Sequence, residues 1–230
     1  MNTLRRHQLV CLNALGWRQA RAQVQAQADQ VQACLAHWAN DSLPLVVSRQ
    51  TRGVPDGTLV LGLAAPARWG RRRLTLHVDR KGIAYFDAFP LASAIHRLLP
   101  VRSRSAWLSL CRALNQAGSP ARVYGSHGWQ HLTGLGYLQP TSDMDLLLPV
   151  ASPEQADQVV TLLFGHEQAC RAPRLDGELV FGNGAAVAWR EWAVWRAGQV
   201  QSLLVKRLQG VELTDKPFWA QREPLLEVCA

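Results

Sequence analysis

Two short segments decide how this 230-residue sequence is interpreted: Tyr124-Gly125-Ser126-His127-Gly128-Trp129 and Ser142-Asp143-Met144-Asp145-Leu146-Leu147-Leu148. The first follows a short predicted strand and leads into a predicted helix. A glycine after a strand lets the backbone turn tightly and approach a phosphate. A serine hydroxyl and the amides at the start of a helix then donate to phosphate oxygens. Gly125 and Ser126 are therefore candidate substrate-binding residues.

The second segment places two carboxylates around one apolar residue. Residues two apart in a strand point to the same face, so Asp143 and Asp145 are expected to project together. Such a pair repels unless a cation lies beside it, and Mg²⁺ takes oxygen ligands while also binding substrate phosphates. A phosphate loop facing metal-binding carboxylates supplies what phosphoryl transfer requires. Either motif alone is common, and it is their order and placement at strand ends that predicts catalysis.

The flanking sequence predicts an α/β (α+β) protein with two lobes, divided near residue 100 into domains 1–100 and 101–230. The C-terminal lobe is expected to be a mixed sheet flanked by helices. Its predicted elements are a helix 105–117, strands 122–124 and 144–150, a helix capped by Ser152 and running to about residue 164, and strands 180–181 and 185–189. Residues 201–208 fit a strand or a helix equally well.

The N-terminal lobe is expected to be a smaller α+β domain that contacts substrate or carrier. Residues 17–40 lack Gly and Pro and carry a helical apolar stripe, which predicts one helix. The other expected elements are strands 43–49, 58–63 and 72–78 and a short helix over 89–99.

Composition excludes several function classes. The net charge is +8, but no long basic stripe alternates with aromatic residues, so a nucleic-acid partner is not expected. The five cysteines form no CxxC motif, which argues against a zinc ribbon or a thioredoxin-type site and favours free thiols in a reducing cytoplasm. No apolar run approaches the length of a membrane span. We therefore expect a soluble, cytoplasmic protein with no membrane contact.

The Gly-Ser and Asp-x-Asp pairing resembles the nucleotidyltransferase superfamily, although the sixteen residues between Ser126 and Asp143 exceed the usual spacing. This longer insert, together with the segment Ala186–Trp192, is similar to the malonate decarboxylase holo-[acyl-carrier-protein] synthase family. Members of that family are phosphoribosyl-dephospho-CoA transferases. At the N-terminus Arg6-His7 is similar to a family motif, but Gln8 stands where an acid is expected, so no chemistry is assigned there.

The resemblance implies a defined reaction. A serine hydroxyl of the malonate decarboxylase acyl carrier protein subunit attacks 2′-(5″-triphosphoribosyl)-3′-dephospho-CoA at the phosphorus next to the ribose, and diphosphate leaves. Asp143 and Asp145 would bind Mg²⁺, and one of them would help to deprotonate the hydroxyl. Superfamily members often add a third acid from a later strand, for which Asp176 is preferred and Glu178 is the alternative.

Three basic side chains complete the predicted site. Arg190 and Lys206 are candidates for diphosphate contact, although a Lys at a strand end also occurs without such a role. His127 is adjacent to Ser126 and is a candidate for phosphate contact or a plain neighbour of the helix start. His127 and His131 lie four apart, but hard-cation chemistry explains this neighbourhood better than zinc does.

Two other functions remain open from the sequence. One is a nucleotidyltransferase that acts on a different small-molecule or protein acceptor. The other is a non-catalytic basic module that binds RNA or an acidic protein. A basic enzyme suits an acidic carrier because opposite charge accelerates encounter, and the clusters Arg71–Arg73 and Arg102 with Arg104 are candidates for that surface.

Overall fold

The computed structural model describes residues 2–51, 53–170, 173–220 and 227–228. Helices and strands mix along the chain, so the predicted α/β class is confirmed. The chain divides into two compact units. One holds the described residues of Met1–Ala88, Leu208–Gly210 and Leu225–Ala230, and the other holds those of Phe89–Arg207 and Val211–Pro224.

The first unit is built on an antiparallel sheet of five strands. Its elements are β1 (Asn2–Thr3), β2 (Gln8–Leu12), α1 (Ala14–Ala22), α2 (Asp29–Asn40), β3 (Leu45–Val47), β4 (Thr58–Ala64), β5 (Arg73–Asp79) and β6 (Ile83–Ala88). The strand order is β5-β4-β3-β2-β6, and every neighbouring pair is antiparallel. The short strand β1 pairs separately with the strand Glu227–Val228, the last strand among the described residues.

The single helix predicted for residues 17–40 is wrong, because the chain forms α1 and α2 with a break between them. The side-chain amide of Gln23 donates to the His77 carbonyl, and its oxygen accepts from the His77 amide, at 2.6 and 2.9 Å. These bonds tie the end of α1 to strand β5. A tertiary contact therefore ends a helix that local propensity would have continued.

The second unit contains a six-stranded sheet with helices packed on it. Its elements are α3 (Val101–Gln116), β7 (Arg122–Val123), α4 (Gly125–Thr133), β8 (Met144–Val150), α5 (Pro153–Ala169), β9 (Leu175–Phe181), β10 (Ala186–Ala188), α6 (Trp189–Arg196), β11 (Leu203–Lys206) and β12 (Val211–Thr214). The strand order is β12-β11-β10-β9-β8-β7. Only β8 and β9 among these pairs run parallel, which makes the sheet mixed as predicted.

Helix α5 is the connection that allows β8 and β9 to run parallel, because parallel neighbours need a crossover. Ser152 caps this helix as predicted, its hydroxyl accepting from the Gln155 amide at 3.2 Å. Met144, Leu146 and Leu148 alternate along β8 and are fully buried in the core. The opposite face of β8 and β9 carries polar side chains, including Asp145 and Asp176, near the starts of the two strands.

The division between the units lies earlier than the predicted boundary at residue 100. Ala92, Ile95 and Leu99 are buried in the core of the second unit. The Trp107 indole of α3 donates to the Ala92 carbonyl at 2.8 Å. The segment 89–99 therefore belongs with the C-terminal sheet, and only Ala94–Leu98 within it is helical, as a 3₁₀ turn.

The region after β9 also differs from expectation. The predicted strand 185–189 ends at Ala188, and Trp189 begins the unpredicted helix α6. Trp189 and Trp192 are fully buried, so their three-residue spacing serves core packing. The undecided segment 201–208 contains the strand β11.

The sequence-based expectations about cysteines and membrane-spanning helices can be compared with the described residues. Four of the cysteines are free thiols, namely Cys11, Cys34, Cys111 and Cys170, and Cys229 lies outside the described residues. No helix within the described ranges is long and apolar enough to span a bilayer.

Candidate active site

The Gly-Ser bend lies directly against Asp145. Gly125 has a φ of 58°, a left-handed conformation that side chains with a Cβ rarely adopt. A methyl group at Gly125 would collide with the Asp145 carboxylate. The Tyr124 amide also donates to the Asp145 carbonyl at 3.0 Å, which pins the bend to strand β8. The two motifs of the sequence are therefore in contact.

Helix α4 begins at this bend, and the amides of its first turn have no partner within the helix. The first backbone bond of the helix runs from the Gly128 amide to the Tyr124 carbonyl, at 3.1 Å. The first turn includes Gly125 and Ser126. Such amides bind anions readily, and the helix dipole adds to the attraction. Phosphate binding at this bend stays a prediction.

Asp143 and Asp145 project from one side of the chain. Met144 between them is 0% exposed and points into the core, whereas both aspartates are partly exposed. Asp143 immediately precedes β8, and its Oδ2 lies 3.4 Å from Nη1 of Arg174. Both carboxylates therefore lie on the face opposite the core, as strand alternation predicts.

Strand β9 adds Asp176 to this pair. The parallel register sets Asp176 directly beside Asp145. The pKa of Asp145 is raised to about 6, first by burial and then by the negative charges of Asp176, Asp143 and Glu178. We call Asp143, Asp145 and Asp176 the carboxylate edge. The neighbouring charges disfavour the ionised form of Asp145, as expected where a cation is to be bound.

The donor set of the carboxylate edge fits Mg²⁺. Within the described ranges, no three or more His, Cys, Asp or Glu side chains form a group that could hold a metal ion. Mg²⁺ usually takes only one or two protein carboxylates and completes its shell with water and substrate phosphates. Asp143 and Asp145 supply two such oxygen donors beside the predicted phosphate-binding bend. Mg²⁺ at these residues stays a prediction.

Glu178, the alternative third acid, has a partner inside the protein. It is 3% exposed, and its Oε1 accepts from Nζ of Lys206 at 2.8 Å. Asp176 lies beside Asp145 in the register, whereas Glu178 lies beside Leu147. Asp176, and not Glu178, is therefore the acid set beside Asp145, while Lys206 pairs with a buried carboxylate. The role of Asp176 as the third acid stays a prediction. The predicted contact of Lys206 with diphosphate stays a prediction.

Arg190 holds the start of β9. Its guanidinium forms an ion pair with Glu167 and donates to the Leu175 carbonyl at 3.0 Å. Glu167 in turn accepts from the Leu175 amide at 3.1 Å. Because Leu175 precedes Asp176, these bonds position Asp176. This makes Arg190 a positioning residue in the structure, and its predicted contact with diphosphate is not tested.

His127 braces the loop that carries Asp143. The ring is 4% exposed, and its Nδ1 lies 3.1 Å from the Asp143 carbonyl. The carbonyl can only accept, so Nδ1 carries the proton, and burial lowers the pKa of the ring. His127 is thus a neutral, buried donor beneath the carboxylate edge, while its predicted contact with substrate stays open.

Sequence reasoning missed Arg174 and Glu167. Arg174 precedes β9, and its carbonyl accepts from the Met144 amide at 2.8 Å, between the two aspartates. Glu167 lies near the end of α5, where nothing local marks it as part of the site. The only available signal for Arg174 was its position two residues before Asp176. Neither contact follows without the register of β8 and β9.

Two family models, both of the same transferase, together match most of the chain. The family model described as the phosphoribosyl-dephospho-CoA transferase MdcG C-terminal domain matches residues 90–217. The model described as the N-terminal domain of the same transferase matches residues 5–89. These ranges meet within one residue of the division between Ala88 and Phe89 that separates the two structural units.

Similar proteins cover nearly the whole chain. A protein named phosphoribosyl-dephospho-CoA transferase from Xanthomonas axonopodis pv. citri is 37% identical over 89% of this chain and 93% of its own length. One of the same name from Bradyrhizobium diazoefficiens is 35% identical over 92% of this chain and 90% of its own. No solved structure matches significantly. With both family models matching and these relatives covering the chain, the protein belongs to the phosphoribosyl-dephospho-CoA transferase family.

Proposed function

We propose that this chain transfers the phosphoribosyl-dephospho-CoA group from 2′-(5″-triphosphoribosyl)-3′-dephospho-CoA to a serine of the malonate decarboxylase acyl carrier protein subunit. The contact between the Gly125 bend and Asp145, with Asp176 in register beside it, carries the proposal. It juxtaposes a phosphate-binding turn with carboxylates, which suits a triphosphate donor. The family membership supports the choice of donor.

The proposed step replaces a phosphoanhydride bond of the donor with a phosphoester bond to the carrier serine. The serine oxygen forms a bond to the phosphorus next to the ribose, and the bond from that phosphorus to the diphosphate breaks. Asp176 accepts the serine proton, and the amides of Gly125 and Ser126 hold the phosphate oxygens in line. Asp143 and Asp145 would hold Mg²⁺, which supplies charge neutralisation of the triphosphate.

The carrier is proposed to approach a basic surface. Arg71, Arg72 and Arg73 are all exposed on the first unit. Arg102 on α3 is exposed as well, whereas Arg104 donates to the Leu99 and Arg97 carbonyls at 3.0 and 3.1 Å. The first cluster is therefore the better candidate. The free thiols suit a reducing compartment, so we place the reaction in the cytoplasm.

The test is direct detection of the product. Purified protein, the triphosphate donor, Mg²⁺ and the carrier subunit are incubated, and the carrier is analysed by intact mass and peptide mapping. We expect the carrier to gain the prosthetic group on one serine with release of one diphosphate. Asp143→Asn and Asp145→Asn should lower the rate by about a thousandfold or more, because each removes a charge that neutralises the transition state through the cation.

Two controls make the result specific. Asp215→Asn removes an exposed carboxylate in the same unit and should leave the rate unchanged. A carrier with its acceptor serine replaced by alanine should gain no mass. Modification of another acceptor by the same donor would support the alternative nucleotidyltransferase function. Undiminished modification by both aspartate variants would contradict the proposed site.

A further inference from the structure

We infer that Arg174 is a substrate-binding residue that exchanges partners during the reaction cycle. In the protein without donor it pairs with Asp143. When metal and donor bind, its guanidinium moves to the triphosphate. The inference rests on the proposed function and names a new contact in that site.

The position of Arg174 is set by the sheet. Its carbonyl accepts from the Met144 amide at 2.8 Å, so its backbone lies beside the segment that joins Asp143 to Asp145. Asp176 follows two residues later on β9 and stands beside Asp145. The side chain therefore starts from a fixed point at the carboxylate edge, where the donor phosphates are proposed to bind.

The side chain itself is poorly held. Its Nη1 lies 3.4 Å from Asp143 Oδ2, and the Arg174 side chain is 60% exposed. An exposed pair at that separation contributes little to stability. The other two cations at β9 are held far more firmly. Lys206 pairs at 2.8 Å with a Glu178 side chain that is 4% exposed, and Arg190 bonds both Glu167 and the Leu175 carbonyl. Arg174 is thus the cation best able to change partner.

Charge balance gives the direction of the exchange. A metal ion held by Asp143 would share the negative charge that attracts the guanidinium, so the Arg174–Asp143 pair would weaken. The triphosphate brings more negative charge than one divalent cation neutralises. Arginine binds phosphate oxygens through two parallel donors, which is a stronger interaction than a single long contact. Both changes drive Arg174 from the carboxylate to the donor.

The proposal predicts opposite effects on two affinities. Arg174→Gln removes the charge and keeps much of the length of the side chain. The affinity of the donor-free protein for Mg²⁺, measured by calorimetry, should increase about two- to fivefold, because a competing cation is gone. The affinity for inorganic tripolyphosphate with saturating Mg²⁺ should fall about tenfold or more, and KM for the donor should rise in parallel.

Arg196→Gln is the matched control. Arg196 also forms an exposed pair, with Asp157, in the same unit, and its side chain is 43% exposed. Both affinities should stay at their wild-type values in this variant. Arg174→Lys keeps the charge but loses the two-pronged geometry, so its tripolyphosphate affinity should lie between those of the wild type and Arg174→Gln.

The two binding measurements on Arg174→Gln decide whether Arg174 exchanges partners. A rise in Mg²⁺ affinity together with a loss of tripolyphosphate affinity supports the exchange. Unchanged tripolyphosphate affinity, or weaker Mg²⁺ binding in Arg174→Gln, overturns it. Neither measurement needs the carrier, so they remain decisive even if the carrier is not modified. In that case the proposed function fails, and the partner exchange of Arg174 stands or falls by the two binding constants.

Discussion

Asp145 and Glu178 lie on neighbouring strands of one sheet, yet their negative charges are compensated in different ways. Glu178 is 3% exposed and bonds the Lys206 ammonium, so its charge is balanced within the protein. Asp145 lies among other acids, and its pKa is raised to about 6 by burial and by those neighbours. Glu178 therefore has a structural partner, whereas the charge of Asp145 is expected to be balanced by a cation that binds from solution. Function is expected where the fold leaves charge uncompensated.

The largest expected effect is the loss of stability when the ion pair between Glu178 and Lys206 is removed. Lys206→Met should lower the free energy of unfolding by about 3–5 kcal/mol, because it leaves a buried carboxylate without its cation. Urea unfolding of the metal-free protein measures the change. In the double variant Lys206→Met with Glu178→Gln, most of the stability should return.

The same pair of variants tests the predicted role of Lys206. If Lys206 contacts diphosphate, the double variant should recover stability while KM for the donor stays raised. Recovery of both would assign Lys206 to structure alone. Wild-type stability in the single variant would show that Glu178 does not depend on this ammonium.

A smaller effect is expected where the bend meets Asp145. Gly125→Ala should lower the free energy of unfolding by about 2–3 kcal/mol, because the residue has a positive φ and its methyl group meets the Asp145 carboxylate. Activity should fall with it as the carboxylate is displaced. Thermal unfolding and the carrier-modification assay measure the two effects.

Gly198 provides the control for backbone strain. It has a φ of 71°, and a methyl group there would meet no atom within 4 Å. Gly198→Ala should therefore show the strain alone and keep full activity. Equal losses of stability and activity in the two variants would contradict a close contact between Gly125 and Asp145.

The smallest expected effect is a gain in stability. Asp145→Asn should stabilise the metal-free protein by about 1 kcal/mol at pH 7, after allowance for the partial exposure of the group, because it removes one of the mutually repelling charges. The pKa of Asp145 in the folded protein, about 6, lies above its ordinary value of 3.8. The charged form is therefore disfavoured by folding, and its unfavourable contribution is complete above about pH 6 and lost as the pH falls toward 4.

The stability difference between wild type and Asp145→Asn should consequently narrow between pH 7 and pH 4. Saturating Mg²⁺ at pH 7 should reverse it, because the cation stabilises only the charged form. Chemical unfolding across this pH range measures both effects. A stability difference that does not change with pH or Mg²⁺ would show that neighbouring acids do not destabilise the charged form of Asp145.

Much of the site followed from local pattern. Strand alternation alone predicts that Asp143 and Asp145 share a face, and the structure shows Met144 buried between them. The Ser152 cap and the mixed α/β class were also predictable, because caps and apolar periodicity depend on residues a few positions apart. Helix α6 was not, since Trp189 gives no local signal that a short strand ends there.

The family, the fold class and the Gly125-Ser126 and Asp143-x-Asp145 motifs can be identified from the amino-acid sequence alone. The placement of Asp176 beside Asp145, and the ion pairs of Lys206 and Arg190, are visible only in the folded protein. The difference comes from the distance along the chain over which each interaction acts. Alternation and capping act over a few residues, whereas register and ion pairing join residues such as Glu178 and Lys206, which are far apart in the chain and meet only when the sheet has formed.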